Sequence, residues 1–285
     1  MKTRFIVNPR SGRASRAVPA LRTFATENDA EIVFTERRCH ATELAARALD
    51  DRCELIVAVG GDGTMNEVAT ALIDTPATLG LVPCGSGDGL GRHLGIHGST
   101  VHALRILKMG TPRLIDTGLA DNHPFFTVAG LGFEAHIAEK FNTLSSRGFI
   151  RYLSTSATAF TRWQPQEFTI TTSGARHELT AFTLAVANSD QYGNNAIIAP
   201  GARADDGLLD LTAIPRPTFF NSPSLLGRLF HGSIHLHRGV FHLRAPRFTI
   251  ERPAPGPLHT DGELHSADRI VDFTLRPASL RIMTP

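Results

Sequence analysis

Between Glu54 and Val68 the chain reads Glu-Leu-Ile-Val-Ala-Val-Gly-Gly-Asp-Gly-Thr-Met-Asn-Glu-Val, and this run constrains the fold more than any other. Leu55 to Val59 is a continuous apolar segment of strand length, the pattern of a parallel strand covered on both faces. Gly60, Gly61 and Gly63 then allow a sharp turn and a close backbone approach to a ligand. Met65 to Ile73 has helical character, so the free amides of its first turn point back at the glycines, where a phosphate would be stabilised. Asp62 adds a carboxylate beside that phosphate, available to a magnesium ion or an incoming hydroxyl. A plain βα turn with an exposed aspartate is the alternative; the strand–Gly–Gly–acid–Gly–Thr order favours phosphate binding.

A chain of 285 residues can form one large domain or two ordinary ones. Its hydrophobic content of 42% and charged content of 20% are those of a soluble globular protein, and a net charge of +2 demands no nucleic acid. Cys39, Cys53 and Cys84 are odd in number and lack metal-ligand spacing, which points to a reducing cytoplasm. The opening apolar piece Phe5-Ile6-Val7 is too short for a signal peptide and reads as a first strand. No run approaches a membrane span, so any lipid would be met from the water side, transiently at the inner membrane face.

Residues 1 to about 119 alternate strand-like and helix-like segments: Arg4–Asn8, Arg16–Thr26, Glu31–Thr35, Ala41–Leu49 with Thr42 as a cap, Leu55–Val59, Leu79–Val82 and Thr100–Lys108. This alternation predicts an α/β, doubly wound parallel sheet with ligands at the carboxyl ends of its strands. From about residue 120 the texture becomes β-rich, with strands expected around Phe125–Val128, Phe168–Thr171, Phe182–Val186, Leu208–Ala213, Phe248–Ile250 and Val271–Thr274. One helical stretch, Glu134 to Phe160, interrupts them. The second half, 120–276, is therefore expected to be a separate antiparallel β-sandwich.

Four loops fall at successive strand ends in the first half. Asn8, Pro9, Arg10, Ser11 and Gly12 follow the first strand and offer a hydroxyl, a guanidinium and amides. Thr35 ends the second. Gly60, Gly61, Asp62, Gly63, Thr64, Met65 and Asn66 follow the third, and Gly85-Ser86-Gly87-Asp88-Gly89 the fourth. Neither the Gly-x-x-x-x-Gly-Lys-Ser/Thr loop nor a Gly-x-Gly-x-x-Gly fingerprint after the first strand is present, so the phosphate site is of another type.

Together, Asn8-Pro9-x-Ser11-Gly12, Gly60-Gly61-Asp62-Gly63-Thr64-x-Asn66-Glu67 and Gly85-Ser86-Gly87 resemble the diacylglycerol kinase catalytic-domain family, which includes bacterial lipid kinases and sphingosine kinases. The likeness continues through Gly130-Leu131-Gly132-Phe133, Ala199 to Asp210 and His259-Thr260-Asp261-Gly262-Glu263. The resemblance implies an α/β nucleotide domain (1–119 plus a returning strand within 277–285), a β-sandwich lipid domain, and an active site in the cleft that separates them. It implies that ATP is held by Asn8 to Gly12, Thr35, Gly60 to Asn66 and Ser86. It implies also that Asp261 and Glu263 face the γ-phosphate, with Glu263 as the general base and Asp261 assisting or holding magnesium; Asp62 is the rival base. Without the family, Asp-Gly-Glu reads as a hairpin turn with solvated acids. Arg203, Asp206 and Leu208 resemble a structural Mg2+ site of two carbonyls and one carboxylate, a plain Asp-Gly turn being the alternative.

The chain departs from the family at Asp88, where asparagine is common, and at Gly89, where an acid is usual. Glu134 replaces a common aspartate, and His136 stands where sphingosine kinases carry an acid, which disfavours a cationic amine. Lipid access is expected from Arg147, Phe149, Ile150, Arg151, Tyr152, Leu153, Arg162 and Trp163 in or beside the helical insert. A second basic stretch, His231, His235, His237, Arg238, His242 and Arg244, reads as a solvated or membrane-facing surface with no metal. These features predict an ATP- and Mg2+-dependent lipid kinase acting on a diacylglycerol-like alcohol at the bilayer surface. The rivals are a kinase of a soluble metabolite such as NAD, and a silent lipid or nucleotide sensor.

Overall fold

The structure, a computed structural model, describes residues 1–142 and 163–285. In chain order the elements are β1 (Thr3–Val7), α1 (Ala14–Asn28), β2 (Ala30–Phe34), α2 (His40–Asp50), β3 (Leu55–Gly60), α3 (Asp62–Leu72), β4 (Thr78–Pro83), α4 (Gly89–His93) and α5 (Thr100–Met109). There follow β5 (Thr111–Ala120), β6 (His123–Phe125), β7 (Val128–Gly132), α6 (Phe133–Asn142), β8 (Gln166–Thr172), β9 (Ala175–Ala181), β10 (Thr183–Ala187) and β11 (Leu209–Ile214). The last are α7 (Ser222–Phe230), a 3-10 turn (Ile234–Leu236), β12 (Phe241–Ala245), β13 (Phe248–Glu251), β14 (Gly256–Thr260), β15 (Glu263–Ala267) and β16 (Ile270–Thr284). The chain divides into two compact units, Met1–Thr117 with Tyr192–Asn195 and Arg276–Pro285, and Gly118–Gln191 with Ala196–Leu275.

In the first unit, strands run in the order β2-β1-β3-β4 and all pair in parallel, with Val7 opposite Val59 and Val59 opposite Val82. Every residue of β1 and β3 is buried, as helices on both faces of a parallel sheet require. The C-terminal part of β16 continues the sheet beside β4, Ile282 lying parallel to Leu79. The order reverses between β1 and β3, since the chain steps outward to β2 and then returns past β1. Loops leaving such a switch point diverge and leave room for a ligand.

In the second unit, one antiparallel sheet runs β12-β11-β10-β7-β14-β15, and another joins the N-terminal part of β16 to β13, β8 and β9. The core holds Phe125, Phe168, Phe248 and Phe273 together with Leu131, Leu184, Leu211 and Leu258, all buried. Phe125 meets Phe273 edge-on at 6.5 Å. The α/β half and the antiparallel sandwich are thus as the sequence predicts.

Three local expectations change. The strand expected over Phe125–Val128 is broken: β6 ends at Phe125 and β7 begins at Val128. The amides of Phe126, Thr127 and Val128 donate to the Asp261 carboxylate, which removes three donors from any strand ladder. Thr42 does not cap α2; the Glu67 carboxylate accepts from the amides of Cys39 and Ala41, while Thr42 Oγ1 donates to the Glu67 carbonyl. The expected long helical stretch is α6 as far as Asn142, and its remainder lies outside the described residues, as do Arg147, Phe149, Ile150, Arg151, Tyr152, Leu153 and Arg162.

Candidate functional site

Three of the four loops meet through their glycines in the first unit. Gly61, the N-cap of α3, and Gly85 are so close that a Cβ on Gly85 would lie 2.8 Å from the Gly61 Cα. Gly12 adopts φ 45°, and a Cβ there would collide with the Cys84 carbonyl oxygen, which accepts from the Arg13 amide at 2.9 Å. The Cys84 amide in turn donates to the Gly60 carbonyl at 2.7 Å. At Gly12 and Gly85 a side chain would force these backbones apart, which is why both positions are glycine.

Polar side chains lock the assembly. Asn8 Nδ2 donates to Thr64 Oγ1 at 3.1 Å and Asn8 Oδ1 accepts from the Arg10 amide at 3.1 Å. Asp62 reaches across to the fourth loop, its carboxylate accepting from the amides of Asp88 at 3.1 Å and Gly89 at 3.0 Å. Gly87 leaves space for it, since a Cβ would lie 2.5 Å from Asp62 Oδ2. Pro9, Arg10, Gly12, Gly63 and Ser86 are exposed around this junction, Ser11, Gly61 and Asp62 half-buried, and Thr64, Met65 and Asn66 buried. Met65 lines a hollow with Ala58, Leu81, Pro83 and Leu90, so it packs under the loops. Thr35 donates its amide to the Val7 carbonyl at 2.9 Å and stands half-buried at the end of β2.

Two contributors escape a reading of the glycine loops. Asp88 takes a left-handed conformation, φ 55°, and burial followed by the neighbouring Asp62 charge pushes its carboxyl up to about 7, against the pull of Arg92. Residues 192–195 belong to this unit: the Asn194 amide and Arg92 Nε both donate to the Gly87 carbonyl, and Arg92 also donates to Asn195 Oδ1. The only signal for that segment is Gly193-Asn194-Asn195, three residues at positive φ that are suited to such turns.

In the second unit Asp261 and Gly262, at φ 50° and 84°, form the two-residue turn joining β14 to β15. The Asp261 carboxylate is turned inward and accepts from the amides of Phe126 at 2.7 Å, Thr127 at 2.9 Å and Val128 at 2.9 Å, and from Thr127 Oγ1. Burial pushes its carboxyl up, opposed by these four donors. Neither the solvated acid of a plain hairpin nor an acid presented to a phosphate describes it. Glu263 opens β15, half-buried, on the same face as His265 two residues on. His265 stacks on His123 at 3.8 Å, exchanges a hydrogen bond with Thr260 Oγ1 at 2.8 Å, and has its pKa lowered to about 4 by burial and then by His123 and His259. His259 lies 3.4 Å from Glu134 and is buried. The histidines that gather are thus 123, 259 and 265, whereas His136 stacks on Trp163.

In the set expected to hold magnesium, Arg203, Asp206 and Leu208, the one carboxylate is already engaged. Asp206 Oδ1 accepts from the Leu208 amide at 3.1 Å, and its other oxygen pairs with the Arg244 guanidinium, a cation already in place. Arg244 also reaches Asp210, so this arginine of the basic stretch is paired rather than lipid-facing. Among the described residues no three His, Cys, Asp or Glu side chains converge on a metal position. Among the same residues no helix is long and apolar enough to cross a membrane.

Residues 2–120 match the family model of the diacylglycerol kinase catalytic domain, and residues 127–284 that of the YegS C-terminal NAD kinase beta sandwich-like domain. A Pseudomonas putida protein named probable lipid kinase YegS-like is 30% identical over 250 residues, covering 86% of this chain and 82% of that one. A Pseudomonas fluorescens protein of the same name is 28% identical over 261 residues, covering 90% and 86%. The fold is similar to that of a crystallised diacylglycerol kinase of Bacillus anthracis, with a TM-score of 0.76 at 20% identity over 100% of this chain and 97% of that one.

Proposed function

Since the chain belongs to the diacylglycerol kinase catalytic-domain family, we propose that it transfers the γ-phosphoryl group of ATP to a hydroxyl of a diacylglycerol-like membrane lipid. The observation that carries this reading is the junction of three glycine loops at the switch point of the parallel sheet, beside the free amides of α3. Exposed amides there, with Arg10, Ser11 and Ser86, would hold the phosphates of ATP. The chemistry that magnesium supplies, when bound with ATP, is neutralisation of charge on the β- and γ-phosphates, and the ion is assigned to those phosphates.

Glu263 is assigned as the general base that takes the proton of the lipid hydroxyl. Its carboxylate accepts no hydrogen bond among the described residues, which leaves it open to an acceptor. Asp261 is a positioning residue: by tying the turn before Glu263 to the β6–β7 segment, it fixes where Glu263 starts. Asp62 is given the same kind of role in the loops of the first unit, with the proton-accepting role as its alternative.

Transfer of radiolabelled γ-phosphate from ATP to lipid in mixed micelles tests the proposal. Glu263→Gln is expected to lower kcat by about a hundredfold or more without changing the melting temperature. A second reading is favoured by the NAD kinase-like description of the sandwich: a soluble acceptor such as NAD. Transfer to NAD with none to any lipid would establish it in place of the first.

A further inference from the structure

From Leu211 to Ile250 the chain contains no aspartate or glutamate, while it carries Arg216, Arg228, Arg238, Arg244 and Arg247 and four histidines. Within this stretch Phe219 is 90% exposed and Phe220 91%, more open than any other large apolar side chain among the described residues. They are not on a loose loop. The Thr218 amide donates to Asn221 Oδ1 at 2.5 Å, the Asn221 amide to Thr218 Oγ1 at 3.3 Å, and Ser222 Oγ to the Thr218 carbonyl at 2.6 Å. This reciprocal clamp makes the two phenylalanines the central residues of a fixed turn, their rings edge-on at 5.7 Å.

Helix α7 follows directly and extends the same surface. Its inner face is anchored by buried Leu225 and by the Leu229 carbonyl, which accepts from the Ile197 amide at 2.9 Å. Its outer face carries Pro223, Leu226, Gly227 and Phe230, at the i, i+3, i+4, i+7 spacing of one helical stripe. Leu226 is 55% exposed and Phe230 51%. A solvent-facing stripe is ordinarily polar; here it is apolar, and the same segment carries exposed Arg216, three residues before Phe219, half-buried Arg228 on α7 itself, and exposed Arg238. Arg244 and Arg247 are engaged by acids elsewhere, which leaves the charges of Arg216, Arg228 and Arg238 available to an anionic partner.

We infer that the Phe219–Phe220 turn and the outer face of α7 form a docking surface for an anionic lipid bilayer. Aromatic side chains held out on a rigid turn enter the interfacial layer, the α7 stripe lies along it, and the arginines meet the lipid phosphates. The absence of any acid across this stretch selects an anionic surface over an apolar protein groove, which would not need these arginine charges. The inference deepens the lipid-kinase reading by naming how the acceptor's membrane is reached, and rests on that reading only for its purpose.

The test is co-sedimentation of the full chain, without nucleotide, with extruded vesicles of phosphatidylcholine alone or mixed with phosphatidylglycerol. Binding is expected to the mixed vesicles, to weaken with salt, and to fall at least about tenfold in Phe219→Ser/Phe220→Ser. Leu226→Gln/Phe230→Gln is the second variant, made on a different element in case the first disturbs the turn. Both should keep the wild-type melting temperature and the activity on a soluble short-chain diacylglycerol. No wild-type binding to mixed vesicles, or undiminished binding by both folded variants, overturns the inference. So does light scattering that shows a dimer dissolved by these substitutions with vesicle binding unchanged, since the face would then be covered by a second copy. Vesicle binding with no phosphoryl transfer to any lipid would leave this surface standing and remove the kinase reading.

Discussion

Asp88 places a second carboxyl next to Asp62 within a loop suited to anions. Its side chain folds over Gly91, where a Cβ would collide with Asp88 Oδ1, and its backbone is left-handed at φ 55°. Folding raises the Asp88 carboxyl from 3.8 to about 7, burial first and Asp62 second. The native chain therefore binds this proton more tightly than the unfolded chain, and stability rises as pH falls from about 7 towards 4. Above that window the ionised group costs stability. Asn keeps the left-handed conformation and removes the charge. Asp88→Asn is expected to stabilise the chain by about 1–2 kcal/mol at pH 8, discounted for partial exposure, and to give almost nothing at pH 4. Thermal unfolding at both pH values checks this, and an equal gain at both would refute the electrostatic account. Gly12→Ala has the opposite sign at every pH. Its Cβ would collide with the Cys84 carbonyl at positive φ, so a loss of about 2 kcal/mol or more and weakened ATP binding are expected in equilibrium dialysis.

At the scale of elements, most strands of both units are legible because an apolar run or an alternating one is a local signal. β1, β3, β4 and β13 fall within a residue or two of where apolar runs put them. Caps and breaks are not local. Glu67 closes the N-terminus of α2 from 28 residues away, and Asp261 separates β6 from β7 from 135 away. Thr42 is the residue that local rules favour, and the structure uses Glu67 instead. The same limit applies to the histidines: the run of four between 231 and 242 is conspicuous in sequence, while 123, 259 and 265 are brought together by strand pairing and stacking. Short α4 carries no periodicity to read; it starts where Asp62 accepts the Asp88 and Gly89 amides. The Glu67 cap makes a measurable claim. Glu67→Ala leaves the Cys39 and Ala41 amides without this acceptor and should cost about 1–2 kcal/mol, most of it restored by Glu67→Gln. Urea denaturation of the three proteins decides it, and equal midpoints would show that water replaces the cap.

At the scale of the molecule, the last strand belongs to both units: Ile270 to Leu275 of β16 lie in the second, and Arg276 onward in the first. The returning strand is legible from the family resemblance rather than from spacing, because Ala278 to Met283 carries no turn or glycine signal of its own. Within the first unit its ties are many. The Ala278 amide donates to Asp116 Oδ1 at 2.8 Å, Ser279 Oγ to Thr117 Oγ1 at 2.8 Å, and the Asp74 amide to the Ser279 carbonyl at 2.7 Å. Leu280, Ile282 and Met283 are buried, Ile282 against the β4 edge. Exposing three such side chains costs roughly 5–9 kcal/mol, comparable to the whole stability of an ordinary domain. Deleting residues 277–285 should therefore unfold the first unit at 25 °C. The second unit keeps Ile270 to Leu275 and its phenylalanine core, and is expected to stay folded. Calorimetry of the full chain against the truncated one, with limited proteolysis to map the surviving fragment, reads both outcomes together. The expected result is protease-resistant material confined to the second unit, and loss of ATP binding along with the first unit's transition. A truncated chain that retains both the transition and ATP binding would mean that β1 to β4 with their helices suffice alone, and that β16 is an addition to a sheet already stable without it.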